Sequence, residues 1–368
     1  MKNKKWLRSV TFILILVISV LGVLQCYGLP QDYYAKHITN FEYQKDYTID
    51  GALFGTSVVA HSWVAPKAWD SYGITAYHLS MSVQPFGIIP DLLDYAQETQ
   101  DIKYAMIDIH GLRRETIFYS ILPAKFRAAY LNIADMPTRI KVLDTLFEFT
   151  QEAYDFYGVP EKAEEVVDFD DISYYIPFLN FHRRWVDGLT KDDFVTDINN
   201  VLGADNRKAA FYSYDCTSLM KTWDVGESED IDAFQKAQLQ KIFDYAEEHN
   251  IKLLFFNSPS FRSTASQEEL SNLIDYCKKM GYDAIDFSDP EIAEEIAFDP
   301  AVDMVDKGHL NAIGGVKVTD YLCRYLIEHD FYTVDHRGDD YYAEWNEDAN
   351  RYMTFYNKAM ETLAEAEK

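Results

Sequence analysis

Apolar and polar positions follow one another along this chain in two rhythms. Short, nearly continuous apolar runs occur at Ala52-Leu53-Phe54, Ile74–Leu79, Tyr104–Ile109, Leu253–Phe256 and Ala284-Ile285. Their length predicts strands buried on both faces. Between them, apolar residues recur every three or four positions over Pro66–Tyr72, Ile88–Glu98, Ile231–His249 and Glu268–Met280, which predicts amphipathic helices. Strands alternating with helices point to an α/β domain built on a parallel sheet with helices on both sides.

The alternation stops between about residues 112 and 225. That stretch contains a helical pattern over Arg139–Tyr157 and an aromatic cluster, Tyr174-Tyr175-Ile176-Pro177-Phe178, running into Phe181-His182-Arg183-Arg184-Trp185. It reads as an insertion between the third and fourth strands, forming a lid or subdomain or simply buttressing the core. The Trp and Arg side chains could stack on a sugar and fork an anionic group, or form the basic edge of a helix. Residues 30–50 are polar and aromatic without a period and read as a linker, so the domain is expected to run over 51–368. The tail after Asp339 is helical and charged and is expected to pack on the outside.

The N-terminus has a different pattern. Lys2, Lys4, Lys5 and Arg8 precede Val10–Leu24, which is apolar apart from Thr11 and Ser19. A basic flank before such a run predicts a membrane segment over 1–29, with the flank on the cytoplasmic side and the rest facing outward. An uncleaved single-pass anchor is the leading reading, with a signal cleaved near Cys26-Tyr27-Gly28 or a lipoprotein at Cys26 as alternatives.

Composition narrows the function classes. Asp and Glu number 60 against 34 Lys and Arg, for a net charge of −26, so the basic footprint of a nucleic-acid binder is missing. Four cysteines, Cys26, Cys216, Cys277 and Cys323, have neither disulfide-framework nor metal-ligand spacing. No metal or other cofactor is expected: the histidines are scattered, and no glycine-rich phosphate loop follows a strand.

Two separated motifs carry chemistry. The first strand ends Leu53-Phe54-Gly55-Thr56-Ser57-Val58, where glycine permits a tight turn and a helix start offers N–H groups beside the serine oxygen. Near the other end stands Asp306-Lys307-Gly308-His309-Leu310-Asn311, before a helix marked by Val318, Leu322 and Leu326. A carboxylate this close to His309 can hold one tautomer and free the second ring nitrogen to act as a base. A parallel sheet collects the loops that follow its strands along one edge, which would bring Ser57 to His309. His61, four residues beyond Ser57, lines the pocket or caps a surface.

Gly-Thr-Ser after the first strand and Asp-x-x-His before the last helix resemble the SGNH (GDSL-like) hydrolase superfamily over about residues 50–110 and 250–330. With Tyr72-Gly73-Ile74 and Tyr77-His78-Leu79-Ser80, the wording is similar to an exported Gram-positive branch that includes alginate O-acetylation and teichoic-acid D-alanylation proteins. The resemblance implies a flavodoxin-like three-layer α/β/α sandwich, Ser57 as nucleophile, His309 as general base and acid, and Asp306 as its orienting partner. It also implies a serine-dependent acyl-ester hydrolase or O-acyltransferase acting on an acylated glycan or cell-wall polymer, with a membrane acyltransferase as a candidate partner. Hydrolysis and transfer stay open, as does a non-catalytic envelope protein that keeps the fold and binds glycan or a partner enzyme.

Two positions depart from the superfamily pattern. Its second block has a glycine where this chain reads Ser80-Met81-Ser82-Val83-Gln84, and its third block has an asparagine where this chain reads Asp108-Ile109-His110-Gly111-Leu112-Arg113. Those positions serve the oxyanion hole, whose donors face the charge that develops on the carbonyl oxygen. The Ser57 N–H remains, and Ser80, Ser82, Gln84, His110 and Arg113 are the candidates for the rest.

Overall fold

The computed structural model describes residues 2–28, 33–176, 179, 231–260, 264–331 and 333–366. Helix α1 (Lys2–Gly28) contains Lys4–Gly22, which is long and apolar enough to cross a membrane and is not buried by the rest of the chain. Helix α2 (Tyr33–Glu42) follows. Strand β1 (Gly51–Phe54), helices α3 (Ser57–Ser62) and α4 (Ala65–Tyr72), strand β2 (Ala76–His78), helix α5 (Ile89–Gln97) and strand β3 (Tyr104–Asp108) make the first half of the domain. Helices α6 (Arg114–Ser120), α7 (Pro123–Leu131) and α8 (Met136–Tyr157) come next. Helix α9 (Ala233–His249), strand β4 (Lys252–Asn257), helix α10 (Thr264–Lys279), strand β5 (Asp283–Asp286) and helix α11 (Pro290–Glu295) make most of the second half. A hairpin of β6 (Met304–Asp306) and β7 (His309–Leu310), then helices α12 (Ala312–Glu328) and α13 (Ala343–Ala366), complete the chain.

The five strands β1–β5 form one parallel sheet in the order β2-β1-β3-β4-β5. All five predicted strands are present. Every residue of β1, β2 and β3 is buried, as is β4 after Lys252, which matches the unbroken apolar runs of strands covered on both faces. Gly51 lies against the Tyr104 ring of the adjacent strand, where an added Cβ would sit 2.2 Å from the aromatic carbons. Bulk has been removed from β1 at that point to admit Tyr104.

Part of the predicted insertion is a buttress. Helix α8 packs on α5, α7 and α9, and an aromatic cluster of Phe126, Tyr130, Phe147 and Tyr174 fills the space beside it, with ring centroids 5.1–6.4 Å apart. Phe181, His182, Arg183, Arg184 and Trp185 lie outside the described residues, as does Cys216. Cys277 and Cys323 are buried free thiols, as expected of small core residues. The tail does more than cover the outside: α13 packs on α4 and buries Trp345 in the main core, 5.6 Å from Trp69, and the Trp69 indole N–H donates to Asn346 Oδ1 at 3.0 Å.

The linker expected over residues 30–50 is corrected by the structure. Helix α2 occupies half of it, with Ala35, His37, Ile38 and Phe41 buried in the domain. Its apolar residues sit on one face, but polar and aromatic neighbours obscure the period. His37 stacks on His78 at 3.8 Å and on Tyr77 at 4.6 Å, and the Tyr77 hydroxyl donates to the His37 carbonyl at 2.9 Å. Burial, and secondarily the neighbouring His78, holds the His37 imidazole well below its ordinary pKa, so α2 is docked on β2 with a neutral ring. Ile38→Ala is therefore expected to destabilise the domain by about 2–5 kcal/mol, read as a lower thermal midpoint of the detergent-solubilised chain. An unchanged midpoint would return this segment to the role of a linker.

Candidate active site

The site begins where β1 ends. Gly55 has φ +146°, and a Cβ there would sit 2.7 Å from Val59 and 2.9 Å from the Asp108 Cβ, so a side chain is refused by both conformation and space. The Gly55 N–H donates to Gln84 Oε1 at 2.6 Å, and its carbonyl accepts from Met81 N at 3.2 Å. The chain then turns straight into α3, with Ser57 as its first residue. A first-turn N–H has no acceptor within the helix, which leaves the Ser57 N–H outside the α3 ladder.

The partner motif is a hairpin. Asp306 and His309 face one another across the two strands β6 and β7, with Lys307-Gly308 as the turn. Asp306 Oδ1 accepts the Gly308 N–H at 2.7 Å, and both Asp306 oxygens lie 2.9 Å from His309 Nδ1. Burial works to raise the Asp306 carboxyl, but the bonds from Gly308 and His309 and the nearby imidazoles outweigh it and hold it below the ordinary carboxylate range. An ionised Asp306 can only accept, so Nδ1 carries the proton and Nε2 presents its lone pair. That nitrogen lies 2.8 Å from Ser57 Oγ, across 252 residues of sequence.

Several residues that sequence reasoning did not single out hold the hairpin. Asn311 caps α12, its Oδ1 accepting from Ile313 N at 2.9 Å and Gly314 N at 3.1 Å, while its own N–H donates to the Asp303 carbonyl. Asp303 is buried and paired with Lys317 at 2.7 Å. Asn before Ala-Ile-Gly-Gly is a readable cap signal, whereas Asp303 becomes meaningful only once the hairpin exists. His61 lies beside the site: its Nδ1 donates to the Leu310 carbonyl at 2.9 Å, and its ring is 4.7 Å from that of His309.

The five candidate oxyanion donors divide. Gln84 is buried and bonded at both ends, its Nε2 donating to the Leu79 carbonyl at 2.8 Å, so it braces Gly55. Ser80 is fully buried and bonded to His78 Nδ1 at 2.9 Å. His110 lies between Asp108 and Ser260, and Arg113 is buried with bonds to Glu115 and Ser266. Ser82 is half-buried and accepts a long contact, 3.4 Å, from Lys125. Four of the five candidates are thus engaged within the fold, because the polar ends of four strands must satisfy one another where they meet.

In the loop after β2, Val83 has φ +57°. A β-branched residue in the left-handed region carries strain of about 1–3 kcal/mol. The loop takes a backbone that suits glycine and accepts the cost of a side chain there. Comparison with family models, with curated proteins and with solved structures finds no match to this chain.

Val83→Gly is expected to leave the fold intact and stabilise it by about 1 kcal/mol, since relief of strain exceeds glycine's greater freedom in the unfolded chain. Chemical denaturation measures this, and a destabilised variant would mean that the valine side chain's packing outweighs its strain.

Proposed function

We propose that this protein is a serine-dependent acyl-ester hydrolase or O-acyltransferase of the SGNH type, held at the membrane by Lys4–Gly22 and working on its outer side. The observation that carries this reading is the unbroken chain from Ser57 Oγ to His309 Nε2 at 2.8 Å and from His309 Nδ1 to Asp306 at 2.9 Å. A serine whose proton has an acceptor, on a histidine whose other nitrogen is fixed by a carboxylate, is the arrangement acyl transfer needs. The strand order β2-β1-β3-β4-β5 supports a flavodoxin-like three-layer fold, whose ligands sit at the carboxyl ends of the strands.

In this reading Ser57 Oγ attacks the acyl carbonyl as His309 Nε2 takes its proton. The Ser57 N–H then faces the developing oxyanion. His309 returns the proton to the departing alcohol, leaving an ester on Ser57. Water releases the acyl group as an acid in a hydrolase, whereas a sugar hydroxyl accepts it in a transferase, and His309 removes the incoming proton in either case. Side-chain exposures of 57% for Asp306 and 27% for His309 leave the base at an open edge rather than down a tunnel. That accessibility suits an acylated envelope glycopolymer, and a membrane acyltransferase that loads Ser57 would make the chain a transferase.

A fluorophosphonate probe is expected to label Ser57 in the detergent-solubilised chain, located by peptide mapping. Ser57→Ala and His309→Ala should abolish that label. Asp306→Asn, which removes the carboxylate acceptor for Nδ1–H and so fails to fix the useful tautomer, should slow labelling by about 10³–10⁴-fold. Labelling of Ser57 that persists in His309→Ala would remove the histidine from the mechanism. A wild-type chain inert to the probe and to aryl acetates, yet retaining glycan on a column, would favour the non-catalytic binding reading.

A further inference from the structure

Beneath the nucleophile turn lies a second serine-histidine-aspartate chain. Asp108 Oδ1 is 2.8 Å from His110 Nδ1, and His110 Nε2 is 2.9 Å from Ser260 Oγ. The three residues come from the carboxyl ends of β3, which pairs with β1, and of β4, which pairs with β3. All are buried, with Ser260 exposed by only 7%, which leaves no room for a polymer at its hydroxyl.

The connections of this chain lead toward Ser57. Asp108 Oδ2 accepts both the Ser258 N–H at 2.8 Å and its hydroxyl at 2.7 Å, while Oδ1 also accepts the His110 N–H at 2.9 Å. The segment Ser258-Pro259-Ser260 is therefore clipped to the β3 loop at both serines. Asp108 in turn abuts Gly55, where a Cβ would come within 2.9 Å of it. On the far side of His110, Gly111 abuts the Gln84 carbonyl, to which an added Cβ would come within 3.2 Å, and the Gln84 side chain holds the Gly55 N–H. Both ends of the Asp108–Gly111 turn thus press on the cradle of the glycine two residues before Ser57. Burial tends to raise the Asp108 carboxyl, but the bonds from His110 and Ser258 outweigh it and keep the group below the ordinary carboxylate range. An ionised carboxylate can only accept, so His110 Nδ1–H donates to Asp108 and Nε2 is turned to the Ser260 hydroxyl.

We propose that Asp108, His110 and Ser260 form a positioning relay that fixes the Gly55–Ser57 turn, and with it the Ser57–His309 alignment, without touching substrate. The proposal rests on the esterase reading above. Reactive geometry tolerates displacements of only about half an ångström, and an error near 1 Å can cost about a hundredfold in rate. Loosening the clip between the β3 and β4 loops therefore acts on the chemical step and leaves substrate binding alone.

The test compares the full-length chain in detergent with its Ser260→Ala, His110→Asn and Ser260→Thr variants. Fluorophosphonate titration counts the competent Ser57 sites, and the labelling rate is then taken per competent site. His110→Asn keeps a donor toward Asp108 but withdraws the contact to Ser260. Both it and Ser260→Ala should titrate fully yet react about tenfold or more slowly per site, with kcat for an aryl acetate lowered equally and KM unchanged. Ser260→Thr restores the hydroxyl and should recover most of the rate. Wild-type rates per site combined with fewer titratable sites would show a purely structural role and overturn the proposal while leaving the esterase reading standing. A wild-type chain that takes no label would overturn the esterase reading and the relay together.

Discussion

The registered parallel pairing of β1, β3 and β4 is the constraint from which the site follows. Phe54 pairs with Ile107, and Asp108 pairs with Phe256, so these strands end nearly level and their loops emerge side by side. A slip of two residues would preserve the inward and outward faces but shift one loop by roughly 6.6 Å along the strand. Such a shift would separate Gly55 from Asp108, or Asp108 from Ser258. An odd slip would exchange the two buried faces, so that each core side chain met packing shaped for its neighbour. The apolar runs thus do more than build a core: they hold the ends of three strands in one row.

A second element has to meet that row from outside the sheet. The hairpin bearing Asp306 and His309 belongs to a separate two-stranded unit and is tied to the domain through the Asn311 cap, Asp303 and the His61 contact with Leu310. Helix α3 packs on β7 and on α12, so the helix that opens with Ser57 also supports His309. Two stretches of polypeptide more than two hundred residues apart in sequence therefore share a single mechanical unit. The exposed side of this unit is the carboxylate, and its buried side is the backbone of Leu310, Asn311 and Ala312.

Much of this was legible in the amino-acid order. The five strands stood out because residues such as Leu53-Phe54 and Leu254-Phe255-Phe256 leave no polar side for water. Ser57, Asp306 and His309 were legible because each motif is local and its chemistry depends on short spacings. The network among Asp108, His110, Ser258 and Ser260 was not, because it joins the ends of separate strands and each residue alone passes for a loop residue. Helix α2 was missed for a different reason: its inward face carries His37 beside Ile38 and Phe41, and a polar ring that stacks on His78 and Tyr77 does not register as hydrophobic. Ser80, Gln84, His110 and Arg113 stand near the right loops, but donors at a crowded strand end are already committed.

The docking of α2 also limits the reach of the domain. Helix α1 ends at Gly28 and α2, already part of the folded body, begins at Tyr33. Fully extended, the chain between those residues spans under roughly 20 Å. With Lys4–Gly22 seated in a bilayer, so short a leash would hold the folded body close against the membrane surface.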